Sequence, residues 1–333
     1  MTMRRLALAV FAALAAVAFA LPSPVLAQEI RLRMGHDQPL GSMYDEGHQM
    51  FKKLVEERSQ GKIRVDVFPA AQLGSEVAMV EGVRLGSIDI ISANSPNAAT
   101  VIPELGLFSV AYLFRDLPHF ERVVNDPKFV KRMDELVASK NLGIKLIGFY
   151  SAGVRNIYSR KGSVGSPDDL KGVKIRVQNN PVEVKVWRTL GAIPTPMNFG
   201  EVYQALQSGV LDAAENGLAV VESNKHYEAA KFISQTEHQR SLSLLLINEK
   251  KLASLPPDLR QLVLTAAAEA SVHERKKDAE FVAAAVDRLK SKGAVLTSPD
   301  KAKFVALIAP LQDELAKELK TADLLDMVRA HGK

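Results

Sequence analysis

The chain has 333 residues, no cysteine, and 43 basic against 38 acidic side chains, a formal charge of +5. That length predicts two lobes rather than one and enough core to stand without disulfides. The mild, interspersed charge excludes the basic stripe of a nucleic-acid binder, and Lys276-Lys277 reads as part of a solvated helix face.

Met1 to Ala27 reads as a secretory leader. Arg4 and Arg5 precede an apolar run from Leu6 to Leu21, and Val25-Leu26-Ala27 is a small-residue cleavage site. Removing it lowers the charge from +5 to +3. With no cysteine there is no lipid anchor to follow it. The mature chain then alternates strand and helix. Glu29 to Gly35 is predicted as a strand, Tyr44 to Ser59 as a helix, and Ile63 to Phe68 as a strand. Ser75 caps a helix running to Leu85, which Gly86 stops, and Ile88 to Ser92 is the third strand. This βαβαβ order predicts an open parallel sheet. Ile144 to Tyr150 reads as a strand buried on both faces. Val173 to Val177 is a strand, Pro181 to Leu190 and Phe199 to Ser208 are helices, and Leu211 to Glu215 is strand-like. Phe232 to Thr236 and Leu242 to Ile247 read as two strands tying the lobes together. From Pro257 to Lys292 there is no internal proline or glycine, so the segment is either one lobe-bracing helix of ~35 residues, ~50 Å long, or two helices broken near Ala270.

Catalytic motifs are wanting. The seven histidines have no metal spacing, no Gly-x-Ser-x-Gly elbow occurs, and Ser59-Gln60-Gly61-Lys62 is interrupted by a glycine stop. No cofactor and no metal is expected. Charged and amide residues do stand near strand ends. Arg155 follows the strand ending at Tyr150, Arg176 projects from the face of its strand opposite Val173, Ile175 and Val177, and Asn216 lies just past Glu215. Open α/β sheets bind ligands at such ends, and two guanidinium forks with an amide suit a carboxylate. The same two arginines read equally well as surface or inter-loop ion pairs.

Several stretches carry a family resemblance. They are Phe68-Pro-Ala-Ala-Gln-Leu-Gly74, Glu81-Gly-Val-Arg-Leu-Gly-Ser-Ile-Asp89, Pro103-Glu-Leu-Gly-Leu-Phe108 and Gly153-Val-Arg155. Ser166-Pro-Asp-Asp-Leu-Lys-Gly-Val-Lys-Ile-Arg-Val177, Gly191 to Leu206 and Asp212-Ala-Ala-Glu-Asn216 follow in order. Together they resemble the DctP-type solute-binding subunits of TRAP transporters over nearly the whole mature chain. The resemblance implies an α/β, two-lobe periplasmic-binding-protein fold with a ligand cleft between the lobes and a long helix across both. Lobe I is placed at residues 28–151 plus about 241–279, and lobe II at 152–240 plus about 280–333. It further implies a periplasmic, monomeric receptor that binds a small organic acid, such as a uronate or dicarboxylate. The receptor would deliver that acid to a membrane permease driven by an ion gradient, and catalyse nothing. A binding module serving a signalling receptor and an enzyme acting on a sugar acid are the alternatives.

By the same resemblance Arg176 is the carboxylate clamp, Arg155 a second basic contact and Asn216 the amide after the Asp-x-x-Glu strand. Glu76 matches a position that hydrogen-bonds the ligand's other end, or it stabilises a helix N-terminus. Phe199 matches a cleft aromatic, or it is a core residue. Asn94, read as a ligand contact or a turn amide, and Asp37 with His36 at the end of the first strand complete the set. Gly217-Leu218 departs from the Asn-Pro of many members.

Overall fold

The computed structural model describes residues 29–332; the leader expected at Met1 to Ala27 lies outside them. Nine strands form one mixed sheet: β1 Ile30–Gly35, β2 Ile63–Phe68, β3 Ile90–Asn94, β4 Ile144–Ser159, β5 Lys174–Val177, β6 Ile193–Pro196, β7 Ala213–Gly217, β8 Phe232–Asn248 and β9 Val295–Thr297. Their order is β2-β1-β3-β8-β4-β7-β5-β6, with β9 added alongside β8. β1 runs parallel to β2 and β3, and β5 parallel to β6 and β7. Between these two parallel sets, β4 and β8 lie antiparallel to each other, β8 antiparallel to β3 and β4 to β7, while β9 pairs parallel with β8.

The helices are α1 Met43–Arg58, α2 Glu76–Leu85, α3 Ser95–Ala98, α4 Leu117–Val124, α5 Pro127–Ser139, α6 Pro181–Thr189, α7 Val202–Ser208, α8 Leu218–Ser223, α9 His226–Ala229, α10 Glu249–Ser254, α11 Pro257–Ser291, α12 Ala302–Glu318 and α13 Ala322–Ala330. Local signals explain the clearest of them. Ser75 Oγ accepts the Ala78 N–H at 3.3 Å at the start of α2, and Gly86, at φ 80°, closes it. In α1 the acids Asp45 and Glu46 occupy the first turn and Arg58 the last, matching the helix dipole.

Four expectations change. The two short strands at Phe232 to Thr236 and Leu242 to Ile247 are one strand, β8; the residues between them are polar, with His238, Gln239 and Ser241 buried, which conceals the continuity. The strand foreseen from Ile144 to Tyr150 runs on to Ser159, so Arg155 lies inside β4 rather than beyond a strand end. Its register shifts between Ser151 and Val154, where Gly153 takes φ 70°, a bulge that reads as a turn in sequence. Asn216 likewise lies within β7, and Phe199 opens a 3₁₀ turn, Phe199–Glu201, ahead of α7.

α11 is unbroken over 35 residues, with Ala270 in its interior. It packs on α1, β4 and α8. Apolar residues line its buried face near both ends, Val263 and Ala267 in the first half and Ala285 and Leu289 in the second. Where it crosses β4 the buried residues are polar: Glu274 accepts the Ser151 N–H at 2.9 Å and Asp278 the Ser151 hydroxyl at 2.8 Å. One core packs under α11, around Leu32, Phe51, Leu206, Val220, Leu245 and Val263. A second, on the opposite face, contains Val83, Phe108, Phe120, Met133 and Leu246, and α13 returns to it through Leu324 and Val328. A third joins Ile175, Val177 and Trp187 to Phe304 and Ile308 of α12. No described helix is long and apolar enough to cross a membrane.

Candidate functional site

A cavity of about 250 Å³ lies just past the ends of β1 and β2 and beside the turn that follows β6, lined among others by Asp37, Ser75, Glu76, Phe199, Tyr203 and His226. Roomier grooves of about 680 Å³ beside α6 and about 660 Å³ between α5 and α11 are lined by none of the residues singled out from sequence. Of the eight residues singled out from sequence, Asp37, Glu76 and Phe199 form part of the cavity wall, whereas His36 is buried 3.6 Å from the Asp45 carboxylate. Arg176 sits behind Phe199, its guanidinium 6.0 Å from the ring centroid. Arg155 and Asn216 meet on β4 and β7, and Asn94 backs Glu76.

The two arginines differ in kind. Arg155 is 1% exposed and bound on several sides: Nε and Nη2 reach the Glu215 carboxylate, Nη2 also donates to the Glu215 carbonyl at 2.9 Å, and Nη1 donates to Asn216 Oδ1 at 3.1 Å. Burial opposes charge on both partners, but each restores the other. Arg155 is raised above its ordinary pKa, while Glu215, also bonded to His238 at 3.3 Å, is held down to about 2. Arg176 is 2% exposed and has no carboxylate within ion-pair distance among the described residues. Its Nε and Nη2 both donate to the Met197 carbonyl, at 2.9 and 2.8 Å, leaving Nη1 without a described partner. Burial pushes its pKa down.

Opposite Arg176 stand two acids. Burial first, and then the charge of Asp37, push Glu76 up to about 8, although the Asn97 amide, the Asn94 N–H and Arg176 pull it back. Asp37 is raised by burial against Gln38, His36 and Arg176. Glu76 lies in the first turn of α2, so its helix-stabilising and cavity-lining positions coincide. Asn94 ends β3, and its Oδ1 accepts the Ser243 hydroxyl at 3.0 Å.

Tyr203, Asn224 and His226 were not foreseen. His226 Nδ1 pairs with the Tyr158 hydroxyl at 2.8 Å, and its ring lies 5.3 Å from Phe199. Burial and then Arg176 hold its pKa down at about 3, so it is a neutral imidazole able to donate or accept. These residues stand on helices of 4 to 7 residues or beside them, too short to show a periodicity. The available sign was the cluster of polar and aromatic residues from Asn224 to Tyr227 in an otherwise apolar stretch.

The arrangement joins a buried, unpaired cation to acids, amides and aromatic rings, a set suited to holding an anionic, hydroxylated molecule. Similarity to known proteins agrees. The family model described as bacterial extracellular solute-binding protein, family 7 matches residues 34–319. The 2,3-diketo-L-gulonate-binding periplasmic protein YiaO of Escherichia coli K12 is 35% identical over 89% of this chain and 90% of its own. Among solved structures, a TRAP periplasmic solute-binding protein from Anaerococcus prevotii with bound D-glucuronate has a TM-score of 0.87 at 31% identity, covering 91% of this chain and 98% of its own. One from Xanthobacter autotrophicus Py2 with bound β-D-galacturonate has a TM-score of 0.85 at 32% identity, covering 90% and 99%. The two-lobed α/β fold is therefore that of the TRAP receptors, and the chain belongs to bacterial extracellular solute-binding protein family 7.

Proposed function

We propose that this TRAP solute-binding protein takes one sugar-derived carboxylate, of the uronate or aldonate class, into the cavity past the ends of β1 and β2. It would hand that acid to the membrane permease of its transporter. The observation that carries this reading is Arg176. A buried guanidinium without a carboxylate is costly, and an incoming anion at Nη1 supplies what the fold leaves out. Phe199 and His226 pack the sugar ring, and Asp37 and Glu76, the latter backed by Asn94, meet its hydroxyls. Asn216, held through Oδ1 by Arg155, offers its Nδ2, so Arg155 is the second basic group of the site. The likeness to receptors with bound D-glucuronate, β-D-galacturonate and, in a Polaromonas protein, D-erythronate supports this ligand class.

Capture here involves no turnover. The receptor acts in the periplasm after removal of a leader ending at Ala27. The lobes divide where β4 bulges at Ser151 to Val154 and near Arg240 of β8, and α13, which packs on α5, rides with the first lobe. Calorimetry against uronates, aldonates, dicarboxylates and neutral sugars tests the reading. One equivalent of a sugar acid should bind at micromolar affinity or better and be recovered unchanged. Tight binding confined to neutral sugars or cations would overturn it.

A further inference from the structure

Glu76 is tied to more than its own wall of the cavity. Its Oε1 accepts the Asn94 N–H, and its Oε2 accepts from Nδ2 of Asn97, a residue of α3 that is 4% exposed. The Oδ1 of the same amide accepts the backbone N–H of Asn179, 3.4 Å away, just past β5. One residue on, Asn180 Nδ2 donates to the Pro96 carbonyl at 3.0 Å, while its Oδ1 caps α6 at the Val182 N–H, 2.7 Å away. β8, β4 and β7 separate β3 from β5 in the sheet, so these bonds bridge two walls with no strand pairing between them.

The orientation of the Asn97 amide is dictated from both sides. Reversed, it would set Nδ2 against the Asn179 N–H, donor facing donor, and withdraw its own donor from the Glu76 oxygen. We propose that Asn97 is a positioning residue that couples ligand capture to closure: it aims Glu76 into the cavity and fastens that wall to the β5 side, so the two are made or lost together. The proposal rests on the cavity being the ligand site. When the walls part, water replaces each bridging bond, so the effect is a shift in population and rate rather than loss of binding.

Two variants test it. Asn97→Ala removes the whole fork; Asn180→Asp keeps an oxygen for the Val182 N–H and removes the donor to Pro96. In stopped-flow experiments with D-glucuronate, each should raise the dissociation rate about tenfold, the size of one net hydrogen bond. Association should change by less than about threefold. Small-angle scattering of the ligand-free variants should give a larger radius of gyration than wild type at an unaltered melting temperature. Wild-type dissociation and a wild-type radius in the folded variants would overturn the coupling; should Asn97→Ala not fold, Asn180→Asp decides alone. If the wild-type protein binds no sugar acid, the ligand reading fails separately, and the ligand-free scattering still decides whether these bonds hold the walls together.

Discussion

Arg155 and Arg176 flank β7, and of the two only Arg155 has a carboxylate of its own among the described residues. The variants should differ accordingly. Arg176→Ala should weaken sugar-acid binding about 100-fold, the worth of two charge-assisted hydrogen bonds, and Arg176→Lys should lose less because it keeps the charge without the fork. Both should melt close to wild type, and calorimetry beside thermal melts separates affinity from folding. Arg155→Ala should instead cost about 3 to 5 kcal/mol of stability by stranding Glu215 in the interior. The acids give two opposite pH responses. Glu215 has a folded pKa of about 2 against an ordinary 4.5, so its stabilisation is complete above pH 4.5 and is lost as pH falls towards 2. Glu76, raised to about 8, contributes stability that is complete below pH 4.5 and disappears as pH rises through 8. Its ionisation also places a second negative charge beside Asp37 and the bound anion. Affinity for a sugar acid should therefore fall between pH 7 and 9, and Glu76→Gln should flatten that fall in calorimetric titrations.

Gly217 shows how closely the elements around the site approach. It pairs with Arg155 across β4 and β7, and a Cβ there would lie 2.3 Å from the Ala152 carbonyl oxygen, a backbone atom with little room to yield. Gly217→Ala should cost about 1 to 3 kcal/mol, read as a lowered melting temperature, and should weaken ligand binding by displacing Asn216. This contact also gives a physical basis for the departure at Gly217-Leu218: the β4–β7 spacing in this chain leaves no space for a side chain. Such crowding is invisible in one dimension. The helix α2 was legible because Ser75 and Gly86 announce its ends, and β1, β2 and β5 because their alternation or apolar run is uninterrupted. β4 and β8 are longer than their apolar runs suggest because their centres are polar, with a glycine bulge in β4, and largely buried, against the rule that buried strands are apolar. Within the site, Arg176 stood out as a cation in an apolar strand, whereas Tyr203 and His226 owe their place to the packing of short helices from separate parts of the chain.

At the scale of the molecule, two parallel sets of strands share β4 and β8, and α11 lies across them. With a bulge in β4 and polar partners on α11 at the crossing, motion about this line is expected to close the cavity on its ligand. Small-angle scattering should report a smaller radius of gyration with a saturating sugar acid than without it, and identical profiles would exclude a hinged closure. A ligand at 100 times its dissociation constant should also add about 2.7 kcal/mol to the stability of the protein.

The placement of β8 also governs how the molecule is made. Ile90 of β3 pairs with Ile247, so the first parallel set keeps an unpaired edge until nearly three quarters of the chain has been synthesised. β4 waits for the same segment. Pairings this distant in sequence fold slowly, and no early fragment of the chain contains a complete sheet to settle into. A polypeptide that crosses a membrane as an unfolded thread must not fold before it arrives. For export of the kind that the leader reading at Met1 to Ala27 predicts, this order of strands would favour a threadable chain until β8 has been made.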